Sequence, residues 1–289
     1  MKAKATTLYW QITYALLALV IFLLTGSAVH AAPKADLWPR WQKNDPASRQ
    51  RIDHSVWDKF LKKYVIARDP SGINRVPYDA VSPEDRKALQ SYLKHLQSLP
   101  ISSYNRTEQK AYWINLYNAL TVEIILSHYP VPSILDIDIS PGWFSWGPFR
   151  AKLLSVEGEK LSLDDIEHRI LRPIWKDNRV HYAVNCASLG CPNLQPVAYT
   201  ASNLEQLLDQ GAREYVNHPR GATLKNGKLQ VSSIYIWFQE DFEGSKEGVL
   251  NHLRKYADPS LAKTLESYRG GLAHYYDWRL NVPEFTLEP

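Results

Sequence analysis

The chain reads as an α+β protein, a helix-rich single domain around a small, mainly antiparallel sheet. Three observations predict this. Apolar residues recur at helical spacing in most of the long segments, while β-prone runs are short. Helices and strands follow one another without the regular alternation of a parallel α/β fold. The 289 residues carry no internal repeat and no low-complexity block, a length that suits one domain after a leader.

The elements follow in order. Met1-Lys2-Ala3-Lys4 is basic, residues 12–24 are apolar, and Ala28-Val29-His30-Ala31-Ala32 is built of small residues. That order predicts a secretory signal peptide over 1–31, cleaved after Ala31. The apolar run is shorter than the ~20 residues of a comfortable membrane span, which makes an uncleaved anchor the weaker reading. Export, to a bacterial periplasm, is therefore the expected localisation. Residues 32–51 read as a flexible lead-in, 52–281 as the folded domain and 282–289 as a tail. Within the domain, Val56, Phe60, Leu61, Tyr64 and Val65 predict a helix over 55–65, and 74–78 reads as a short strand. Ser82-Pro83-Glu84-Asp85 is a helix start with Ser as N-cap and Pro at the first helical position. Its helix runs to about Leu99 with Leu89, Leu93 and Leu96 on one side.

The segment 107–128 differs in kind. Apolar residues surround its whole circumference, from Tyr112 and Trp113 to Ile124 and Ile125, which predicts a central, buried helix. Asn115 and Asn118 fall on one sector of it, a polar notch whose amides need partners from a loop, a ligand or water. Beyond it, 149–156 and the turn Glu157-Gly158-Glu159 predict a hairpin. Ser162-Leu163-Asp164-Asp165 reads as a capping box, with Asp165 a structural carboxylate. In the helix that follows, Glu167 lies inside the stripe of Leu163, Ile166, Ile170 and Ile174, and His168 points away from it. A carboxylate on an apolar face needs a cation or donors, whether for function or as a structural ion pair. Residues 180–185 read as a strand and 202–217 as an amphipathic helix. Asn226-Gly227 marks a hairpin over 222–230. Residues 248–256 and 260–268 read as helices and 272–280 as a closing strand.

Composition narrows the chemistry. Without Lys2 and Lys4 the chain has 32 basic against 30 acidic residues, a balance that argues against nucleic acid as a partner and confines any membrane contact to an uncleaved leader. Ten Trp and 17 Tyr can build a core, and can also line a ligand cleft or stack on sugars. No phosphate-binding glycine loop and no G-x-S-x-G elbow occurs, so no cofactor is called for. The cysteine spacing lacks the close pairs of structural zinc sites.

Both cysteines, Cys186 and Cys191, sit where the 180–185 run breaks into a turn. Three readings stay open for them: a disulfide natural to an exported protein, a reactive Cys186, or two inert thiols. The Ala187-Ser188-Leu189-Gly190 turn could supply backbone N–H groups to an oxyanion. On a regular strand His181 and Cys186 would face opposite sides, so pairing them requires a bulge. The remaining base candidates are His128, His168 and His274.

Three blocks resemble the domain of unknown function 547 family. They are Ala111-Tyr112-Trp113-Ile114-Asn115-Leu116-Tyr117-Asn118-Ala119-Leu120, Leu161-Ser162-Leu163-Asp164-Asp165-Ile166-Glu167-His168, and Val180-His181-Tyr182-Ala183-Val184-Asn185-Cys186-Ala187-Ser188. Tyr199-Thr200-Ala201, Ser232-Ser233-Ile234 with Trp237, Asp241-Phe242 and Tyr276-Asp277-Trp278 are similar to its later blocks. The resemblance spans about 52–281 and implies a domain found in bacteria and eukaryotes with no general activity established. It stresses Asn115, Asn118, Glu167, His181 and Cys186, the residues already singled out. Two functions are then in view. One is a thiol-dependent hydrolase or acyl/peptidyl transferase on an envelope substrate, with Cys186 as nucleophile, a His as base and Asn115 or Asn118 as orienting groups. The other is a non-catalytic module holding an envelope peptide, small molecule or glycan in an aromatic-lined cleft, its cysteines joined.

Overall fold

The computed structural model describes residues 33–142 and 147–283. The predicted signal peptide, Trp143 to Trp146 and most of the tail lie outside them. The described residues belong to one compact unit, helix-rich with small sheets of two and three strands.

The lead-in, expected to be flexible, is tied down along its length. Asp36 and Trp38 donate backbone bonds to His168 and Arg169, Asp45 donates to Tyr104, and Trp41 is buried against Trp113. Helix α1 (Ser55–Tyr64) buries Trp57, Phe60, Leu61 and Tyr64. The predicted 74–78 strand shrinks to a single bridge between Arg75 and Ile66, because Pro77 precedes a 3-10 turn at Tyr78–Ala80. Helix α2 (Pro83–Ser98) starts as expected, the Ser82 side chain accepting from the Asp85 N–H.

Helix α3 (Arg106–His128) is the axis of the larger core, with Asn105 accepting from Thr107 and Glu108 at its start. It is buried on every side, as its all-round apolar sequence requires. A hairpin of β1 (Leu154–Val156) and β2 (Glu159–Leu161) follows, and Ser162 and Asp165 form the expected reciprocal cap. The helix beyond is not a regular α-helix. Asp165–Leu171 is π-helical, its Arg172 N–H reaching the Glu167 carbonyl, before α4 (Arg172–Trp175) resumes. The wider turn changes the phase of its faces, so His168 does not point away: it is as buried as Glu167.

A second core forms around α5 (Leu204–Val216) and a three-stranded sheet. Strands β3 (Ala222–Lys225) and β4 (Lys228–Ser232) are antiparallel about Asn226-Gly227, both residues with φ above zero. After α6 (Ile234–Trp237), α7 (Lys246–Tyr256) and α8 (Pro259–Ser267), strand β5 (Leu272–Tyr275) adds parallel to β4. The closing strand thus ends at Tyr275. Its continuation leaves the sheet and makes single bridges, Arg279 to Ser133 and Leu280 to Ser188.

Candidate functional site

Residues 180–185 do not form a strand. Asn178–Tyr182 is a 3-10 turn, started by the Asp177 carboxylate accepting from the Arg179 N–H. The run is apolar because it is buried, and its backbone finds partners without a ladder. Asn118 donates from Nδ2 to the Ala183 carbonyl at 2.8 Å and accepts the Asn185 N–H on Oδ1 at 2.8 Å. One side-chain amide therefore serves as the neighbouring strand would. One turn earlier, Asn115 clamps Tyr199 in the same way, donating to its carbonyl at 2.7 Å and accepting its N–H at 3.0 Å. The polar notch of α3 holds two loops in place, and both amides are saturated by doing so.

Leaving the strand idea removes the parity argument at His181, and geometry replaces it. His181 Nε2 lies 2.7 Å from Asp241 Oδ2, its ring stacks on Phe238, and Nδ1 is 3.8 Å from Glu167 Oε1. Arg172 donates from Nε to the same Asp241 oxygen at 2.5 Å, and its Nη1 lies 3.0 Å from His168 Nδ1. In this cluster burial raises the Glu167 carboxyl to about 8, against the pull of Arg172 and a hydrogen bond with Tyr117. Burial lowers both imidazoles, His181 less so because Asp241 holds it. Burial thus favours the neutral forms of Glu167 and of both histidines beside the Arg172–Asp241 ion pair. Sequence reasoning selected Glu167 and His181 but assigned no role to Asp241, Arg172 or Phe238.

Cys186 belongs to a different cluster. Its sulfur lies 3.0 Å from Cys191 Sγ, 3.2 Å from Ser188 Oγ and 3.0 Å from Tyr276 Oη. Ser188 also donates to Tyr276 at 3.0 Å, and the Cys186 N–H donates to Cys191 Sγ at 2.9 Å. Both cysteines are free thiols. Among the described residues no imidazole is within hydrogen-bond distance of Cys186, and His128, His168, His181 and His274 all lie elsewhere. Burial pushes the Cys186 thiol up, but hydrogen bonds from Cys191, Ser188 and Tyr276 outweigh it and leave the thiol below its usual range. Cys191 is displaced well upward by burial and by its neighbour.

The turn after Cys186 is strained and pinned. Ala187 has φ of 59°, a left-handed conformation costly for a residue with a Cβ. The oxyanion role expected of this turn is corrected by its bonding. Ala187 N–H goes to Asn185 Oδ1, Leu189 N–H to the Arg279 carbonyl, and Gly190 N–H to the Asp277 carbonyl. The Ser188 N–H is directed at the Cys186 sulfur. A Cβ on Gly190 would lie 2.7 Å from the Asp277 nitrogen and 2.9 Å from the Tyr276 ring, so only glycine admits the approach that brings the Tyr276 hydroxyl onto the thiol. Tyr276 is half-buried beside Trp237 and Trp278, with ring centroids 4.9 Å and 4.7 Å away.

The five sequence candidates therefore lie in three arrangements. Glu167 and His181 share one cluster, Cys186 anchors a second, and Asn115 and Asn118 are backbone clamps. The first two lie within electrostatic reach of each other: a charge on Cys186 would raise Glu167 further, and charges on either would raise Tyr117. Tyr276 is the partner that sequence reasoning left without a role, although its block had been noticed.

Residues 101–216 match the family model described as "Protein of unknown function, DUF547". The chain carries a DUF547 domain. Comparison with curated proteins and with solved structures gives no match in either. The DUF547 segment contains Glu167, His181, Cys186, Ser188 and Cys191, whereas Asp241 and Tyr276 lie beyond it. Each cluster is thus completed by a later part of the chain. Among the described residues no group of three or more His, Cys, Asp or Glu is placed to hold a metal ion, and no helix is long and apolar enough to cross a membrane.

Proposed function

We propose that this DUF547 protein is an exported thiol-dependent hydrolase or acyl/peptidyl transferase of an envelope substrate, with Cys186 as nucleophile. The observation that carries the reading is the convergence of Ser188, Tyr276 and Cys191 on one sulfur at the edge of an aromatic cluster. Donors around a sulfur favour the thiolate, the nucleophilic form, and do the work an adjacent imidazole does elsewhere. In the reaction Cys186 Sγ bonds to the acyl carbon as the C–N or C–O bond breaks. The thiol proton passes through the Ser188 and Tyr276 hydroxyls to the leaving group. Water or an acceptor amine then cleaves the thioester and restores the thiol. Export rests on the basic, apolar and small-residue order of the first 31 residues.

The test is the pH profile of iodoacetamide labelling of the reduced, native protein, read residue by residue. Cys186 should label faster than an unfolded-chain cysteine near neutral pH, and Cys186→Ala should abolish hydrolysis of a chromogenic thioester. A Cys186 that labels no faster than in the unfolded chain overturns the reading.

A second reading is supported by the half-buried Trp237, Tyr276 and Trp278 rings, a surface suited to stacking on a glycan. In that case envelope glycan fragments change the tryptophan fluorescence of Cys186→Ala as they do that of the parent, and no turnover accompanies binding.

A further inference from the structure

Cys191 makes and breaks no bond in the acyl chemistry above beyond its hydrogen bond to the Cys186 sulfur, yet it is held against the nucleophile. The sulfurs are 3.0 Å apart, and closing them to the ~2.05 Å of a disulfide requires a movement of about 1 Å. The segment between them is braced on both sides. Leu189 and Gly190 donate to the Arg279 and Asp277 carbonyls, Tyr215 donates from Oη to the Gly190 carbonyl at 2.6 Å, and Asn185 donates from Nδ2 to the Pro192 carbonyl at 2.7 Å. These contacts hold the two sulfurs facing each other. The two are unequal: Cys186 is 9 % exposed and meets the hydroxyl donors, while Cys191 is 4 % exposed and lies behind it. Ser188 and Tyr276 bond to each other as well as to Cys186, so they keep a partner when the thiolate acceptor is lost.

We propose that Cys191 is a resolving thiol, which captures Cys186 in a reversible disulfide and so makes the site sensitive to low-molecular-weight disulfides. The proposal rests on the reading of Cys186 as a reactive thiol. Cys186 thiolate attacks one sulfur of the small disulfide, its S–S bond breaks, and one thiolate leaves. Cys191 then loses its proton to that thiolate and attacks Cys186 Sγ. The mixed disulfide breaks, and the second small thiolate departs and is protonated from solvent. Two electrons pass from the protein dithiol to the small disulfide, giving one protein disulfide and two small thiols. The oxidised site has no nucleophile, and a dithiol reductant restores it.

The experiment compares the full chain with Cys191→Ser, Cys191→Ala and Cys186→Ser. Each is reduced, exposed to glutathione disulfide, acid-quenched and weighed intact. The parent should lose two hydrogens and carry no adduct, and both Cys191 variants should stop at a single glutathione adduct. The adduct lifetime in the parent should be shorter than in those variants by at least about tenfold. Cys186→Ser should stay unmodified, and dithiothreitol should return the parent to two free thiols. A parent that accumulates the adduct as the Cys191 variants do overturns the proposal while leaving a reactive Cys186 intact. A parent that does not react, although Cys186 labels rapidly with iodoacetamide, also overturns it. Slow labelling of Cys186 by iodoacetamide overturns the underlying reading instead.

Discussion

Replacing Asn118 by alanine tests how the thiol segment is held. The side chain makes two hydrogen bonds of 2.8 Å, to the Ala183 carbonyl and from the Asn185 N–H, inside a helix buried on all sides. Asn118→Ala leaves one buried backbone acceptor and one buried donor without partners, each costing about 1–3 kcal/mol. The expected loss is therefore roughly 2–6 kcal/mol, which for a domain of this size lowers Tm by about 4–24 °C. Urea unfolding and calorimetry measure it. Asn115→Ala supplies the control, since Asn115 makes the equivalent pair of bonds to Tyr199. Both variants should lose similar stability, but only Asn118→Ala should change the labelling rate of Cys186, which follows the clamped segment directly. A loss below about 1 kcal/mol for Asn118→Ala, or equal labelling changes in the two variants, refutes the account.

Three further outcomes are expected. Glu167 has a folded pKa of about 8 against 4.5, so the unfolded state loses its proton first and stability falls as pH rises from 4.5 to about 8. Glu167→Gln should then gain up to about 3 kcal/mol at pH 7 and flatten that fall, as followed by urea unfolding at several pH values. His54 and His252, both lowered from 6.5 to about 4 by burial, act oppositely: the unfolded state binds protons first, so stability falls as pH drops from 6.5 to 4. Burial lowers His168, His181 and His218 as well. These five histidines outnumber Glu167 and Asp164, the latter raised to about 6, so stability should rise with pH up to about 6.5. Above that Glu167 makes it fall until the Cys186 thiol, lowered to about 7, offsets the fall, and a continued rise between pH 6.5 and 7 would contradict the account. Tyr276→Phe removes a hydroxyl hydrogen bond to the Cys186 sulfur, worth roughly 1.5–3 kcal/mol to a thiolate, and should move the midpoint of the labelling profile up by about one to two pH units. Gly190→Ala should cost about 1–3 kcal/mol through its clash with Asp277 and Tyr276 and shift the same midpoint upward, whereas an unchanged profile would mean that Tyr276 does not depend on this approach.

Much of the fold was legible because the signals were local. Ser82 and the Ser162–Asp165 box cap helices through groups within three residues of each other. Asn226-Gly227 turns the hairpin for the same reason. The reading failed where burial imitates a strand. Residues 180–185 are apolar and β-prone, but their hydrogen-bond partner is a side chain 67 residues earlier in the chain. His168 was misplaced because a π-helical stretch shifts the faces of its helix, and a constant 100° period cannot register that.

At the candidate site the division has the same origin. From the residues alone came the buried helix with two amides that need partners, the carboxylate on an apolar face, and two cysteines in one turn. These follow from residue type and spacing, which act over a few positions. Tertiary structure alone decided what each of them meets. It gave Asn115 and Asn118 to two backbone segments, paired His181 with Asp241 rather than with Cys186, and set the Tyr276 hydroxyl on the sulfur from 90 residues away. Hydrogen bonding and desolvation act through space over a few ångströms, so the partners that set the state of Cys186 appear only once the chain has folded.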